Sequence, residues 1–208
     1  MGLVMADAAL AAGIEDVVVW GRRPAALAHM DRTRSTDRLP GWTIPAEIRF
    51  DSDPSVFGTA DLLVSAVPTQ ATDGVWRELR DLVAPESLIV STAKGLERGT
   101  LRRPSEILRA RAPGSEVAVL SGPTIATELV RHQPAVMVAA AEGTEVAARV
   151  HRAFGTTWLR IYEQDDLLGV ELAGALKNVI AIAAGICDGL DFGFNLSRLG
   201  CTGEVRSR

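Results

Sequence analysis

The sequence predicts an α/β protein: a doubly wound parallel sheet over residues 1–163, then the start of an all-helical domain over residues 164–208. Three observations carry this reading. Short apolar, β-branched runs alternate with amphipathic stretches, the pattern of a parallel sheet covered on both faces. The apolar runs end in Gly, Pro or Thr loops. Near Glu163 the alternation gives way to one long helix of small apolar residues. With 208 residues, 47% hydrophobic and 23% charged, the chain is long and apolar enough to bury a sizeable core.

The elements follow in order. Residues Leu3–Ala12 are rich in Ala, Leu and Met, good helix formers, and Gly13 stops them. Val17–Trp20 reads as a buried strand, and Pro24 opens a short helix to Met30 because proline suits a first helical turn. A polar loop over Arg32–Pro45 leads to a short strand at Glu47–Phe50. Asp61–Val67 is a strand stopped by Pro68. In Gln70–Leu82 the spacing puts Val75, Leu79 and Leu82 on one helical face. Leu88–Thr92 is a strand ending at Lys94-Gly95, and Leu101–Ala110 a basic surface helix. Strands at Val117–Leu120, Val136–Ala140 and Thr157–Tyr162 flank a helix at Glu142–Phe154. Leu167–Cys187 is the long helix, and Asp191–Arg208, with no apolar periodicity, reads as an unsupported tail.

Charge and composition exclude several functions. A net charge of -4 leaves no basic footprint for nucleic acid and none for an anionic membrane surface. Cys187 and Cys201 with three scattered histidines complete neither a disulfide framework nor a metal site, which points to a reducing cytosol. Asp7 interrupts the N-terminal apolar run and no basic segment precedes it, so no signal peptide is expected. Glu171, Lys177 and Asn178 lie inside the one candidate span, Leu167–Cys187, which argues against membrane insertion.

The loops at successive strand ends are where ligands bind in such sheets. Ser91-Thr92-Ala93-Lys94-Gly95 puts a compact cation at one strand end. Ser121-Gly122-Pro123-Thr124-Ile125-Ala126 follows another, with Pro123 suited to a first helical turn and the Thr124 hydroxyl to an anion. Trp20-Gly21-Arg22-Arg23 ends a strand where an acidic residue would favour a free ribose 2′-hydroxyl and arginine a 2′-phosphate; solvated surface charge is the plainer alternative. Lys177 stands in VELAGALKNVIAIAAG, a window with no structural need for an ammonium. It either snorkels to water or faces a cavity with partners.

Together WGR, AVPT, STAKGLE, LSGPTIATE and GVELAGALKNVIAIAAGICDGL resemble, in order and spacing, the NAD(P)-dependent glycerol-3-phosphate dehydrogenases, from Gly2 to about Gly189. The resemblance implies a Rossmann-type dinucleotide domain joined to a helical substrate domain. It also implies reduction of dihydroxyacetone phosphate to sn-glycerol 3-phosphate for phospholipid synthesis, without metal or flavin. The cofactor it implies is NADP or NAD, with the paired arginines favouring NADPH. The implied partner is a phosphorylated triose, and the full-length family allows a homodimer. By position, Lys177 resembles the catalytic proton donor or acceptor, and Lys94 the lysine beside substrate and nicotinamide. Gly122 and Thr124 resemble the substrate pair, Ala126 a cofactor contact, and Arg22 and Arg23 the nucleotide-binding arginines. Asn178 would support the polar network, and small Ala173, Gly174 and Ala181 would let the domains approach. In the oxidative direction Lys177 would have to be neutral, which a second cation and desolvation favour.

The sequence departs from that family at both ends. Gly2 matches only the last glycine of a Gly-x-Gly-x-x-Gly loop, so the first strand is expected to be missing, with an apolar slot and unpaired ladders beside it. After about Phe192 the pattern is lost. The chain as written is therefore expected to be poorly stable and nearly inactive. The alternative function is a non-catalytic remnant or interaction module. A ketopantoate-type reductase fits the GPT and LKN contexts poorly.

Overall fold

The computed structural model describes residues 1–190. Its strands form two sheets. β1 (Val18–Trp20) and β2 (Arg49–Asp51) pair in parallel, and a five-stranded sheet runs in the order β3 (Leu62–Ser65), β4 (Leu88–Ser91), β5 (Glu116–Ser121), β6 (Ala135–Ala141) and β7 (Leu159–Gln164). Among the described residues no strand bonds both β1 and β3, so the ladder breaks where the sequence led us to expect it. Helix α1 (Gly2–Ala11) packs against β1, β3 and helix α6 (Thr144–Phe154). Its Val4, Met5 and Ala8 are buried with Phe154 and Leu159 in the main core, so apolar contact spans a place that hydrogen bonds do not. The unsupported tail expected over Asp191–Arg208 lies outside the described residues.

The sheet is mostly parallel, as the sequence predicts, with one antiparallel pairing. β3, β4 and β5 are parallel, and β6 and β7 are parallel to each other, but β6 runs antiparallel to β5 with Ser121 opposite Val138. The connection accords with this: a parallel crossover usually carries a substantial helix, and the segment between β5 and β6 holds only α5 (Ala126–Leu129), 4 residues long. This helix begins at Ala126, with Ile125 as N-cap, and not at Pro123. The return of the chain presses Gly122 onto β6: a Cβ there would sit 2.6 Å from the Val136 carbonyl oxygen and 2.9 Å from Met137 Cγ.

Other expectations are also adjusted. Helix α2 (Pro24–Thr33) extends past Met30, and helix α3 (Thr69–Leu79) ends before Leu82, which is exposed while Val75 and Leu79 are buried. Helix α4 (Pro104–Arg111) is a surface helix with a fully buried face: Glu106 and Ala110 are exposed, while Ser105, Ile107 and Leu108 are fully buried. Leu101 lies outside it, at a φ of 59° that helical geometry does not allow. Its neighbouring arginines are paired. Asp73 of α3 accepts hydrogen bonds from Arg77, from Arg102 at 3.0 Å and from Arg111 Nη2 at 2.8 Å. Glu97 also binds Arg102, so the loop before α4 is strapped to α3. The last element, helix α7 (Leu167–Gly189), is 23 residues long.

Two outcomes follow. The Arg111 hydrogen bonds, with those of Arg77 and Arg102, outweigh burial and lower the Asp73 pKa to about 2. The contribution of the cluster is therefore complete above the ordinary carboxylate value and is lost as pH falls from there through about 2. Asp73→Asn should cost about 2 kcal/mol at neutral pH, and chemical denaturation from pH 7 to 2 should show the two proteins converging at the acid end. Gly122→Ala, forced against β6 backbone, should cost about 1–3 kcal/mol, read as a lower melting temperature.

Candidate active site

Parallel register places the loops after β3, β4 and β5 at one end of the sheet, and side chains then tie them together. The Thr92 N–H donates to the Ser65 carbonyl at 3.1 Å, and Thr69 Oγ1 donates to the Lys94 carbonyl at 2.9 Å. Gly95, at a φ of 106°, turns the chain back, a conformation that glycine adopts without strain. Gln70 straddles the next residues: its Nε2 donates to the Leu96 carbonyl at 2.8 Å and its Oε1 accepts from the Arg98 N–H at 2.9 Å. Lys94 Nζ reaches across to donate to the Gly122 carbonyl at 3.1 Å.

Helix α7 closes this end. Gly174 is buried against it: a Cβ there would lie 3.3 Å from Ser121 Oγ and 4.0 Å from Lys94 Cγ, so a bare backbone allows the close approach. One turn further, half-buried Lys177 joins Lys94, Thr124, Ile125 and Ala181 around an open cavity of about 330 Å³. A second cavity of about 420 Å³ shares Thr124 and Ile125 and extends toward Trp158 and Arg160. Thr124 Oγ1 is buried and has no hydrogen-bond partner among the described residues. A buried hydroxyl without a partner is costly, so this atom is suited to meet a ligand oxygen.

The electrostatics centre on the two lysines. Of the 22 Lys and Arg residues in the chain, only Lys94 and Lys177 are lysines, and both face this cavity. Lys94 is exposed as a residue, but its ammonium is turned inward to the Gly122 carbonyl. Burial, and then the charge of Lys177, lower its pKa from the ordinary lysine value. The second cation that the sequence anticipated is thus present, and the depression it helps to cause is seen on Lys94.

The structure brings together Lys94, Gly122, Thr124 and Lys177. It places Arg22 and Arg23 elsewhere, exposed at the carboxyl end of β1, with no ion-pair partner for either among the described residues. Ala126 is the first residue of α5 and packs on the main core without lining either cavity. Ala173 is exposed, unlike Gly174. Asn178 lies on α7, and its side chain is outside the described set. Thr69 and Ser121 belong to strand-end loops that the sequence marks, but the contacts by which they and Gln70 support the cleft were not legible, because nothing in local spacing marks a contact made across strands. Glu171 had a signal, an acid buried in an apolar helix, but was weighed only against membrane insertion.

The chain is similar to known proteins over most of its length. The sequence profile of the NAD-dependent glycerol-3-phosphate dehydrogenase N-terminus matches residues 2–147, and that of the C-terminus matches residues 166–202. The glycerol-3-phosphate dehydrogenase of Leptospira biflexa is 36% identical over 200 residues, covering 94% of this chain and 59% of that protein. The one from Chlorobium phaeobacteroides is 41% identical over 185 residues, covering 86% of this chain and 55% of that protein. The crystal structure of the Coxiella burnetii glycerol-3-phosphate dehydrogenase superposes with a TM-score of 0.85 at 27% identity, over 96% of this chain and 61% of that one. The chain thus spans a little over half the length of the relatives it matches. It belongs to the NAD-dependent glycerol-3-phosphate dehydrogenase family.

Proposed function

We propose that the protein acts in the reduction of dihydroxyacetone phosphate to sn-glycerol 3-phosphate by NADPH or NADH, at the cleft between α7 and the loops after β4 and β5. The product would feed glycerophospholipid synthesis in the cytoplasm. Residues 1–163 serve the dinucleotide, and residues 164–208 begin the substrate side. The observation that carries the reading is the meeting of the chain's two lysines on one cavity beside the unpaired Thr124 hydroxyl.

The roles follow from charge. Two ammonium groups on one cavity favour a dianionic triose phosphate over a neutral ketone. Lys94, held by the Gly122 carbonyl, is a fixed cation at the substrate oxygens, and Thr124 Oγ1 donates a hydrogen bond to one of them. When bound, the reduced nicotinamide supplies a hydride to the substrate carbonyl carbon. Negative charge then grows on the carbonyl oxygen, and Lys177 Nζ gives it a proton. Arg22 and Arg23, exposed and without ion pairs among the described residues, fit the 2′-phosphate of NADPH, whose planar recognition suits guanidinium. Ala126, at the start of α5, stays in this scheme as a backbone contact to the dinucleotide. The reaction is supported by the names of the relatives.

Turnover tests the scheme directly. NADPH oxidation that depends on dihydroxyacetone phosphate, survives dialysis and falls at least about 100-fold in Lys177→Ala would support the scheme and overturn the near-inactivity expected of the chain as written. No oxidation, together with no NADPH-induced rise in melting temperature, would support the remnant reading instead. The lysine pair is tested without substrate. Competitive acetylation read by mass spectrometry should show Lys94 gaining reactivity at lower pH than an ordinary lysine. In Lys177→Met its midpoint should rise, since the nearby charge is gone, yet stay below the ordinary value because burial remains.

A further inference from the structure

The first turns of α7 attach it to the sheet, and the last turns do not. Leu167 and Val170 pack on Val119 and Ala140, and Gly174 lies on Ser121, whereas Ile182 and Ile186 are exposed. Apolar contact is non-directional, and a glycine presents no side chain to lock a position. Neither fixes the rotation of the helix about its axis. That rotation matters, because a slip of one residue turns an α-helix by about 100° and would carry Lys177 out of the cleft.

One contact here is directional. Glu171 is 5% exposed, and its carboxylate accepts from the Ser105 N–H at 2.9 Å, from Ser105 Oγ, and from Arg103 Nη1 at 3.0 Å. Ser105 is the second residue of α4, after Pro104, and its N–H belongs to the first turn, where no helical carbonyl can accept it. The N-cap residue Arg103 makes no side-chain cap hydrogen bond. A carboxylate 66 residues downstream does so instead, at the end of the helix dipole that favours an anion. Arg103 is itself held, its Nη2 donating to Glu106 Oε1 at 2.9 Å and its backbone N–H to Glu106 Oε2 at 2.8 Å. The donors therefore await Glu171 in a set geometry.

Glu171, Gly174 and Lys177 follow one another at i, i+3 spacing, a stripe that winds round α7 from the α4 contact, past Ser121, to the cavity. We infer that Glu171 is a positioning residue: by capping α4 across the domain it sets the rotation of α7, and so holds Lys177 opposite Lys94. The inference rests on the reading of the lysine pair as the site, but its readout needs neither substrate nor cofactor. A failure of turnover and a failure of positioning are therefore separable.

The test follows Lys94 by competitive acetylation across pH, together with hydrogen exchange at the Ser105 amide. Glu171→Ala should raise the Lys94 midpoint toward that of Lys177→Met and speed Ser105 exchange at least tenfold. Glu171→Gln, which can still accept from Ser105 but opposes Arg103 with an amide, should fall between. Val150→Ala, a cavity in the core far along the chain, should lower the melting temperature and leave the Lys94 midpoint unmoved. If Glu171→Ala does not fold, Glu171→Gln and Arg103→Met decide. The inference is overturned if the Lys94 midpoint stays at the wild-type value in the folded variants, if Ser105 exchange is unchanged, or if Val150→Ala shifts the midpoint equally.

Discussion

The parallel register of β3, β4 and β5 is the constraint on which the rest of the structure depends. Because Leu62, Leu88 and Glu116 start level, the three strands deliver their loops to one end of the sheet. Only there can Thr69, Lys94 and Gly122, which are far apart in sequence, reach hydrogen-bond distance. A slip of one residue in any strand would reverse its buried face and carry its loop away. β4, the middle of these three strands, is buried on both faces at Leu88, Ile89 and Val90, so a slip there would force side chains of different shape into packed sites on either side.

The antiparallel β6 has a functional consequence. By returning directly from β5, it brings its first residues beside the end of β5, so Val136 and Met137 close over Gly122 and the larger cavity opens between α5, β6 and β7. A parallel crossover would have started β6 at the far end of the sheet. The glycine of the SGP loop is thus explained by steric approach: the space a side chain would need is occupied by β6 backbone.

Polar groups in this fold do two kinds of work. The Asp73 cluster is closed: its carboxylate is engaged by Arg77 of α3 itself, by Arg102 of the loop before α4 and by Arg111 at the end of α4, so loop and helix are both fastened to α3. The cleft is open: the two lysine charges face each other without a carboxylate between them among the residues lining the cavity, and Thr124 Oγ1 is left unpaired. Among the described residues Thr124 Oγ1 alone is a buried side-chain polar atom without a partner, and it lies beside the two lysines, an arrangement whose chemistry suits an anion. In a chain that otherwise uses arginine for its basic residues, both lysines line this one cavity, and lysine, unlike arginine, offers a compact charge that can give up a proton.

Strand and helix order, the strand-end loops and the candidates Lys94, Gly122, Thr124 and Lys177 were legible in the sequence, because alternating burial, helix periodicity and punctuation by Gly and Pro are local. The break between β1 and β3 accords with Gly2 matching only the last glycine of a Gly-x-Gly-x-x-Gly loop. The antiparallel turn at β6, the buried face of α4 and the capping of α4 by Glu171 were not legible. Each depends on which distant segment lies alongside, and neither propensity nor spacing records that. Residue chemistry by itself determined which groups could move a proton or hold a phosphate; tertiary packing decided which of them meet, because direction and distance across the sheet are set only when the strands align and α7 is locked onto them.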